Sequence, residues 1–324
     1  MKKSGLISFL STQGVLIALA ALILFGWLRY DNFLGLFNIS TVLRYNSMFA
    51  LVALGMCFVI MAGGIDLSVG AVAALGSVVS ALASPYGVIP GLLAGVAAGL
   101  LIGVLNAVII IRLRILPFIA TLATMLTANG AGLLLAQDQS VSVSYESGFT
   151  EIGQGDFFNL PIPALIAAFA YIIGSVALNF TSAGRTVLAI GGNEDASRLM
   201  GLRVDRIKFL TYVVSGGLAG LAGVILASQF GAGQPIEGVG WELFAIAAVV
   251  VGGTLLTGGL GSVGATLAGV MLLGLIFNIL NFENGRGFIS LSAYWQSVIR
   301  GAFLLIVVIL QSRLTDRADR EELT

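Results

Sequence analysis

The side chains that could do chemistry are few in this chain of 324 residues. It contains no histidine, which excludes histidine-based catalytic triads, imidazole metal sites and histidine proton relays. The single cysteine, Cys57, lies in an apolar run and can form neither an internal disulfide nor a thiolate metal cage. The lysines, Lys2, Lys3 and Lys208, all lie outside any G-x-x-x-x-G-K-[ST] loop that could bind nucleotide phosphates. The sequence therefore predicts no catalytic residue, no metal site and no cofactor bound by this chain.

One carboxylate lies within a strongly apolar region. Asp66 follows Gly63-Gly64-Ile65 and precedes Leu67-Ser68, between two long apolar runs. An ionisable side chain inside a membrane segment is costly and is by default a functional hypothesis. Three roles are open for Asp66: capping the helix that begins nearby, lining a solute pathway, or coupling to protons.

A short segment near residue 195 has the features of a surface helix with an apolar face. Asn193 is a good N-cap, the next two residues are acidic, as the helix dipole favours, and Gly201 can end the helix. Leu199 and Met200 share one stripe with Ala196. Such a helix either docks into a groove of another protein or lies on the surface. The residues concerned are Asn193, Glu194, Asp195, Ala196, Arg198, Leu199 and Met200.

Composition indicates which elements must position these residues. Hydrophobic residues make up 58% of the chain and charged residues 10%, and the mean hydropathy is +1.02. Soluble domains carry about 25% charged residues, and a soluble fold of this length could not hide so much apolar surface. We therefore predict an all-α integral membrane protein with a single transmembrane domain over residues 1–324.

Ten runs are candidates for crossing a bilayer, which takes ~20 apolar residues. Several are short or broken by glycine, and the pattern G-G-x-x-L-[ST]-x-G at 63–70 recurs at 252–259, as a duplicated half or by coincidence. Small residues at four-residue spacing, as in 91–99 and 216–223, predict close helix packing. The ten runs are 14–29, 48–64, 67–83, 89–111, 115–136, 161–179, 209–228, 242–257, 262–281 and 296–311.

The distribution of basic residues predicts the orientation. With ten spans, most Lys and Arg residues fall on one side, which the positive-inside rule makes cytoplasmic, together with both termini. The inner loop 180–208 and the tail 312–324 then lie in the cytoplasm, and Trp241 lies at the outer interface. The outer loop 137–160 carries Glu146, Glu151 and Asp156 and no basic residue. These acids either dock a basic partner or reflect the depletion of cations from translocated loops.

Four separated motifs resemble those of one family. They are G-G-I-D-L-S-V-G at 63–70, L-P-F-I-A-T-L at 116–122, A-I-G-G-N-E at 189–194 and A-I-A-A-V-V-V-G-G-T at 245–254. In this order they resemble the ribose/xylose/galactose-type permease subunits of bacterial ABC importers, from about residue 38 to residue 310.

The resemblance implies a multi-pass permease of the bacterial inner membrane, surrounded by membrane lipid and paired with a second permease copy or a homologous permease. It implies cytoplasmic ATP-binding subunits that use ATP-Mg and dock on the segment 193–200. It also implies a periplasmic or extracellular sugar-binding protein, for which the outer acids are the candidate docking site. Nothing in the balance of sixteen basic and sixteen acidic residues indicates a nucleic-acid partner.

A pathway for sugars needs hydroxyl, amide and aromatic side chains, because sugars are neutral, rich in hydroxyls and apolar on their ring faces. Phe118, Thr121 and Asn129 follow Pro117, which starts their helix, and lie broadly on one face. Asn46, Asn106, Thr124 and Asn278 also fit, although each could instead bond a neighbouring helix. The residues expected to line the pathway are Asp66, Ser68, Phe118, Thr121, Asn129 and Trp241.

Other functions remain open from the sequence. The solute could be an autoinducer-type furanone, a nucleoside or a branched-chain amino acid, which similar membrane subunits carry. A self-sufficient secondary transporter would need intramembrane charges for ion coupling, and only Asp66, Arg300 and, at a border, Glu242 qualify. A membrane enzyme is disfavoured by the missing histidines and the scattered acids.

Overall fold

Helices dominate the computed structural model, which describes residues 2–285 together with Trp295, Val298, Ile299, Gly301, Ala302 and Leu305, with side chains from residue 14 onward. The helices are α1 (Lys2–Arg29), α2 (Leu36–Met61), α3 (Val69–Ala83), α4 (Val88–Arg112), α5 (Pro117–Ala136), α6 (Glu151–Gln154), α7 (Ile162–Phe180), α8 (Ser182–Gly192), α9 (Glu194–Leu199), α10 (Val204–Phe230), α11 (Trp241–Val251) and α12 (Val263–Gly285). A 3₁₀ turn, Ser84–Tyr86, follows α3. The short strands are β1 (Val141–Ser142), β2 (Asp156–Phe157), β3 (Leu160–Pro161) and β4 (Ala232–Gly233).

Seven of the described helices are long and apolar enough to cross a membrane. They are α2, α3 with its 3₁₀ turn, α4, α5, α7, α10 and α12. Two shorter apolar helices are α11 and the part of α1 from Gly14 to Arg29. Nine of the predicted spans thus fall on a described helix, while the run 296–311 lies mostly outside the described residues. The predicted all-α, multi-pass membrane fold is confirmed.

α10 is the central helix and packs against α2, α3 and α4. Its contact with α4 is made through glycines: a Cβ at Gly99 would collide with the Gly216 carbonyl oxygen, and one at Gly220 would lie 2.6 Å from the Gly95 carbonyl oxygen. Close backbone approach of this kind is how helices gain van der Waals contact in lipid. The predicted role of the small-residue stripes in helix packing is confirmed.

The connection between α2 and α3 folds back into the bundle. Gly64 donates from its backbone N–H to the Val59 carbonyl, and Asp66 is hydrogen-bonded to Ser215, which packs against Gly55. Gly55 lies six residues before the end of α2, a distance of about 9 Å along the helix axis. α3 therefore begins inside the protein and not at its surface.

The segment between α10 and α11 also enters the bundle. The Gln234 backbone N–H donates to Ser77 Oγ at 2.9 Å, and Gly238 lies against the backbone of Gly70. From 234 to 238 the chain thus runs antiparallel to α3, over about 10 Å of helix. As a result, the N-terminal ends of α3 and α11 lie side by side within the protein. Trp241, predicted at an interface, instead packs on Phe49, about 20 Å along α2 from its start.

Two strand pairs organise one end of the bundle, here named the β1 end. β1 pairs antiparallel with β4, with Val141 opposite Gly233, which ties the loop after α5 to the loop after α10. β2 and β3 form a hairpin with Asp156 opposite Pro161, and the two residues at its turn have positive φ angles, as a tight hairpin turn requires. The opposite end, which carries α8 and α9, is named the α9 end.

Candidate functional site

Asp66 is the centre of a buried polar network. Its side chain is completely shielded from solvent, with 0% exposure. Oδ1 accepts hydrogen bonds from the Ser68 backbone N–H (3.0 Å) and from Ser68 Oγ (2.6 Å), and Oδ2 accepts one from Ser215 Oγ (2.8 Å). The carboxylate thus bonds the residue at the N-cap position of α3 and attaches it to α10. Among the residues that the structure describes, no cation pairs with it.

The network continues into two further helices. Asn106 of α4 donates from Nδ2 to Ser68 Oγ at 2.9 Å, and Thr124 of α5 donates to Asn106 Oδ1 at 2.6 Å. Thr121 Oγ1 accepts a bond from the Leu67 backbone N–H at 3.2 Å. All three side chains are buried. The network therefore joins α3, α4, α5 and α10, and these contacts are those of a structural connection between helices.

The predicted pathway residues do not form one group. Asp66, Ser68 and Thr121 come together in the network. Phe118 is 55% exposed although Thr121, on the same helix, is buried, and Asn129 is half-buried away from the network. Helical spacing placed these three side chains on one broad face, but that face is divided between the bundle interior and its periphery.

Trp241 belongs to a second site, a cavity of about 430 Å³ on the side of the bundle toward the β1 end. It lies between α2, α10, α11 and α12, beside the N-terminal end of α11. Its lining contains many aromatic side chains, contributed by all four helices, together with amides, hydroxyls and a carboxylate. The aromatic residues are Tyr45, Phe49, Phe230, Trp241, Phe244 and Phe277, and the polar residues are Thr41, Asn46, Glu237, Asn278 and Asn281.

The polar side chains of this cavity are held in place by their own hydrogen bonds. Asn46 donates from Nδ2 to the Val42 carbonyl at 2.8 Å. Asn278 donates to Asn38 Oδ1 at 2.8 Å and accepts from Asn38 Nδ2 at 3.2 Å, which links α2 to α12. A lining that combines aromatic rings with amides held in place suits a neutral ligand with apolar faces and hydroxyl groups.

Sequence reasoning missed several residues of both sites. Ser215 was not predicted as a site residue, because nothing in the sequence around this serine distinguishes it from others in a glycine-rich helix. Only its contact with Asp66 in the folded chain does so. Tyr45, Phe230 and Phe244 come from three separate helices, and only the folded chain brings them around one cavity. Asn46, Asn106 and Asn278 were among the polar candidates, without a defined place.

The segment 193–201 forms the predicted short helix, α9. Asn193 Oδ1 accepts a hydrogen bond from the Ala196 backbone N–H at 2.9 Å, which confirms the N-cap. At the other end, the Leu202 N–H donates to the Ser197 carbonyl and the Gly201 N–H to the Arg198 carbonyl, and Gly201 has a φ of 77°. This is the Schellman arrangement expected for a glycine that ends a helix.

The apolar face of α9 is exposed. Leu199 is 89% exposed and Met200 is 70% exposed. Ala196 is half-buried, so the unpartnered surface consists chiefly of the two larger side chains. The exposed pair is therefore available for contact with another molecule, as a docking helix requires, and an ordinary surface helix would expose it in the same way.

Charged side chains fix α9 on the start of α10. Arg198 donates to Glu194 Oε1 at 2.9 Å and to Asp205 Oδ1 at 2.6 Å, and Lys208 Nζ donates to Glu194 Oε2 at 2.8 Å. Partial burial acts to raise the pKa of Glu194, but the bonds from Lys208 and Arg198 outweigh it, and the pKa lies below its ordinary value. The bonds to Asp205 and Glu194 raise the pKa of Arg198.

A junction of glycines lies next to α9. Gly191, at the end of α8, lies against the Met61 carbonyl oxygen and the Gly259 backbone nitrogen, with no room for a Cβ. The Gly259 N–H in turn donates to the Met61 carbonyl at 3.1 Å, and Gly258 packs on Gly63. The two segments with the shared glycine pattern therefore contact each other, and the end of α8 packs against both.

At the β1 end, Glu146, Glu151 and Asp156 are exposed, as predicted. The charge of Asp156 is balanced, however, by Arg44 of α2, which donates to Asp156 Oδ1 at 2.7 Å. Arg44 also donates to the Gly153 carbonyl. The sequence of the loop alone contains no cation, and the partner comes from a distant part of the chain. Glu146 and Glu151 form no ion pair within the described residues.

Comparison with known proteins agrees with this architecture. The family model described as "branched-chain amino acid transport system / permease component" matches residues 38–308. The chain belongs to this permease family. Its membership confirms the predicted resemblance and, with the spanning helices, the location in a membrane.

Individual relatives of this permease cover almost its whole length. It is 40% identical to the ribose import permease protein RbsC of Bacillus subtilis, over 93% of this chain and 92% of the relative. It is 38% identical to the L-arabinose transport system permease protein AraH of Escherichia coli, over 95% and 92%. It is 37% identical to RbsC of Haemophilus influenzae, over 94% of each chain. No solved structure matches this permease.

Proposed function

We propose that this permease is the membrane subunit of an ATP-driven importer for a monosaccharide, a pentose or a hexose. The observation that carries the proposal is the extent of the similarity to permeases named for ribose and arabinose, at 40% and 38% identity over nearly the full chain. The cavity at the β1 end supports it, because its aromatic and amide lining suits a ring with hydroxyl groups.

A branched-chain amino acid, which the family description names, is the second candidate solute. A free amino acid is a zwitterion and needs a partner for its carboxylate as well as for its amine. Within the described residues, the cavity has one carboxylate, Glu237, and no cation. This lining favours a neutral solute.

The proposed assembly pairs this chain with a second permease, with two cytoplasmic ATP-binding subunits that hydrolyse ATP-Mg, and with a sugar-binding protein outside the cell or in the periplasm. The exposed side chains of Leu199 and Met200 on α9 support docking of the ATPase at that end. The exposed carboxylates of Glu146 and Glu151 support docking of the binding protein at the β1 end.

Reconstitution tests this function. The permease, its ATP-binding subunit and its binding protein are combined in proteoliposomes, and uptake of radiolabelled ribose, arabinose, galactose and leucine is measured with and without ATP. We expect ATP-dependent uptake of one sugar and none of leucine. Uptake without ATP would indicate a secondary transporter, and leucine uptake would indicate the amino-acid function.

In the proposed topology, ten spans cross the bacterial inner membrane and both termini lie in the cytoplasm. Cys57, the native cysteine, is buried, so introduced cysteines can be labelled selectively. Ser142→Cys in β1 and Leu199→Cys in α9 lie at opposite ends of α10. A membrane-impermeant maleimide applied from outside should label the first and not the second. The reverse result would invert the orientation.

A further inference from the structure

Two adjoining cavities lie at the α9 end, between the end of α4 and the start of α10. The larger, about 500 Å³, has an apolar part formed by Ile110, Ile111, Ile115, Leu116 and Pro117. The smaller, about 300 Å³, is lined by Ala107, Val108 and Phe209, together with charged residues. Both cavities share Ile111 and Asp205. The two cavities therefore adjoin at the level where the spanning helix α4 ends, and together they are named the α4-end groove.

Cations outnumber carboxylates in this groove. Its basic residues are Arg112, Arg114, Arg198, Arg206 and Lys208, and its acidic residues are Glu194 and Asp205. Arg198 and Lys208 are already paired with those two acids. Arg112, Arg114 and Arg206 form no ion pair within the part of the chain that the structure describes.

Apolar side chains next to these arginines are exposed. Ile115 and Leu116 line the larger cavity and are exposed, and Leu113 beside them is also exposed. A soluble anion binds through charged and polar groups, so exposed isoleucine and leucine would not contribute to a site for it. A membrane lipid needs both parts, because its phosphate requires cations and its acyl chains require an apolar surface.

We propose that this groove binds an anionic phospholipid, whose phosphate is held by Arg112, Arg114 and Arg206 and whose acyl chains lie against the apolar side chains at the end of α4. Guanidinium groups suit a phosphate because their planar N–H donors can contact two of its oxygens. The lipid would connect α4 to the start of α10 and so lie directly beside α9 and its ion pairs.

Native mass spectrometry of the full-length permease in a neutral detergent tests this site. The protein is titrated with phosphatidylglycerol, with phosphatidylcholine of the same acyl chains, and with glycerol phosphate. We expect phosphatidylglycerol to bind most tightly. The double variant Arg112→Gln/Arg206→Gln should weaken its binding about thirtyfold, at roughly a fivefold contribution for each arginine near the membrane surface.

Arg185→Gln/Arg203→Gln is the matched control, since both arginines are exposed and line neither cavity. It removes the same charge and should change the affinity less than threefold. Equal loss in both double variants would overturn the site, as would equal binding of the two lipids. Equally tight binding of glycerol phosphate would show a site for free phosphate. Loss of ATPase co-purification with unchanged lipid binding would assign the arginines to the protein partner and also overturn the proposal.

Discussion

Ser215 and Asp66, which are 149 residues apart in the sequence, are joined by a hydrogen bond of 2.8 Å from the serine hydroxyl to the carboxylate. The bond lies in the interior of the bundle, where both side chains are fully buried. It fixes the start of α3, which begins within the protein, to the central helix α10. The position of the broken helix therefore depends on a contact between distant parts of the chain.

Removal of the Asp66 carboxylate should destabilise the permease. Asp66→Ala leaves the hydroxyls of Ser68 and Ser215 and one backbone N–H without their acceptor in a buried place. We expect the free energy of unfolding to fall by about 3 kcal/mol or more, because each of the three buried groups left unsatisfied costs about 1–3 kcal/mol. Denaturant unfolding in detergent measures the change, and Asp31→Ala, at an exposed position without a positive φ, is the control.

Asp66→Asn separates the structural role from proton coupling. The amide can accept from Ser68 and donate to the Ser215 hydroxyl, so the network is largely kept. We expect ATP-dependent uptake close to that of the native protein. A folded Asp66→Asn protein with no uptake would show that the ionisable group itself is required, and would contradict the structural role.

Narrowing the cavity at the β1 end should slow transport. A Cβ at Gly274 of α12 would collide with the amide of Asn46, which would have to leave its bond to Val42. Gly274→Ala should therefore cost about 1–3 kcal/mol through overpacking and reduce the initial rate of sugar uptake. Gly264→Ala, on the same helix, has open space around the new methyl group and should transport normally. Equal rates in both variants would exclude this cavity from the pathway.

A charge on the apolar face of α9 should uncouple the permease from its ATPase. Leu199→Asp should insert and fold normally, since the side chain is exposed, but should abolish uptake and co-purification of the ATP-binding subunit. A buried unpaired aspartate at a docking surface costs several kcal/mol. Met200→Leu keeps the face apolar and should retain both activities. Normal uptake by Leu199→Asp would show that α9 is an ordinary surface helix.

The ion pairs of Glu194 should make the stability of the α9 region depend on pH. Its pKa is lower in the folded protein than in the unfolded chain, so the carboxylate stabilises the folded state above its unfolded pKa of about 4.3. This contribution is lost as the pH falls through the lower, folded pKa. Glu194→Gln should thus melt at a lower temperature than the native protein at pH 7, and the difference should disappear in acid. Glu146→Gln, without an ion pair in the described residues, should show no such difference.

The outer carboxylates should steer the binding protein through electrostatic attraction. Glu146→Gln/Glu151→Gln should reduce stimulation of ATP hydrolysis by the binding protein at low salt and have little effect at high salt, because charges are screened beyond ~8 Å at physiological ionic strength. Asp156→Asn, whose charge is already balanced by Arg44, should have a smaller effect. An unchanged salt dependence in the double variant would show that the acids do not steer the binding protein and only reflect the depletion of basic residues from translocated loops.

Hydropathy and local spacing were sufficient to predict where the helices lie in the sequence. They were not sufficient to predict that two connecting segments enter the bundle. The runs of apolar residues predicted the order of spans, and the pattern around Asn193 and Gly201 predicted both ends of α9, since each depends on neighbouring residues. The depth of residues 62–68 and 231–240 depends on contacts such as Asp66 with Ser215 and Gly238 with Gly70. Trp241 was therefore assigned to the wrong depth, and no local pattern could have joined Arg44 to Asp156.

The contact between Asp66 and Ser215 has a consequence for biosynthesis. Translation at about 5–20 residues per second takes roughly 7–30 s to cover the 149 residues between them. During that interval α2 and α3 are already made, but the carboxylate lacks the hydroxyl that α10 will supply. The first third of the chain therefore lacks the hydrogen bond from Ser215 to Asp66 until α10 emerges from the ribosome. Assembly of this permease therefore includes a late step that joins α3 to α10 at its centre.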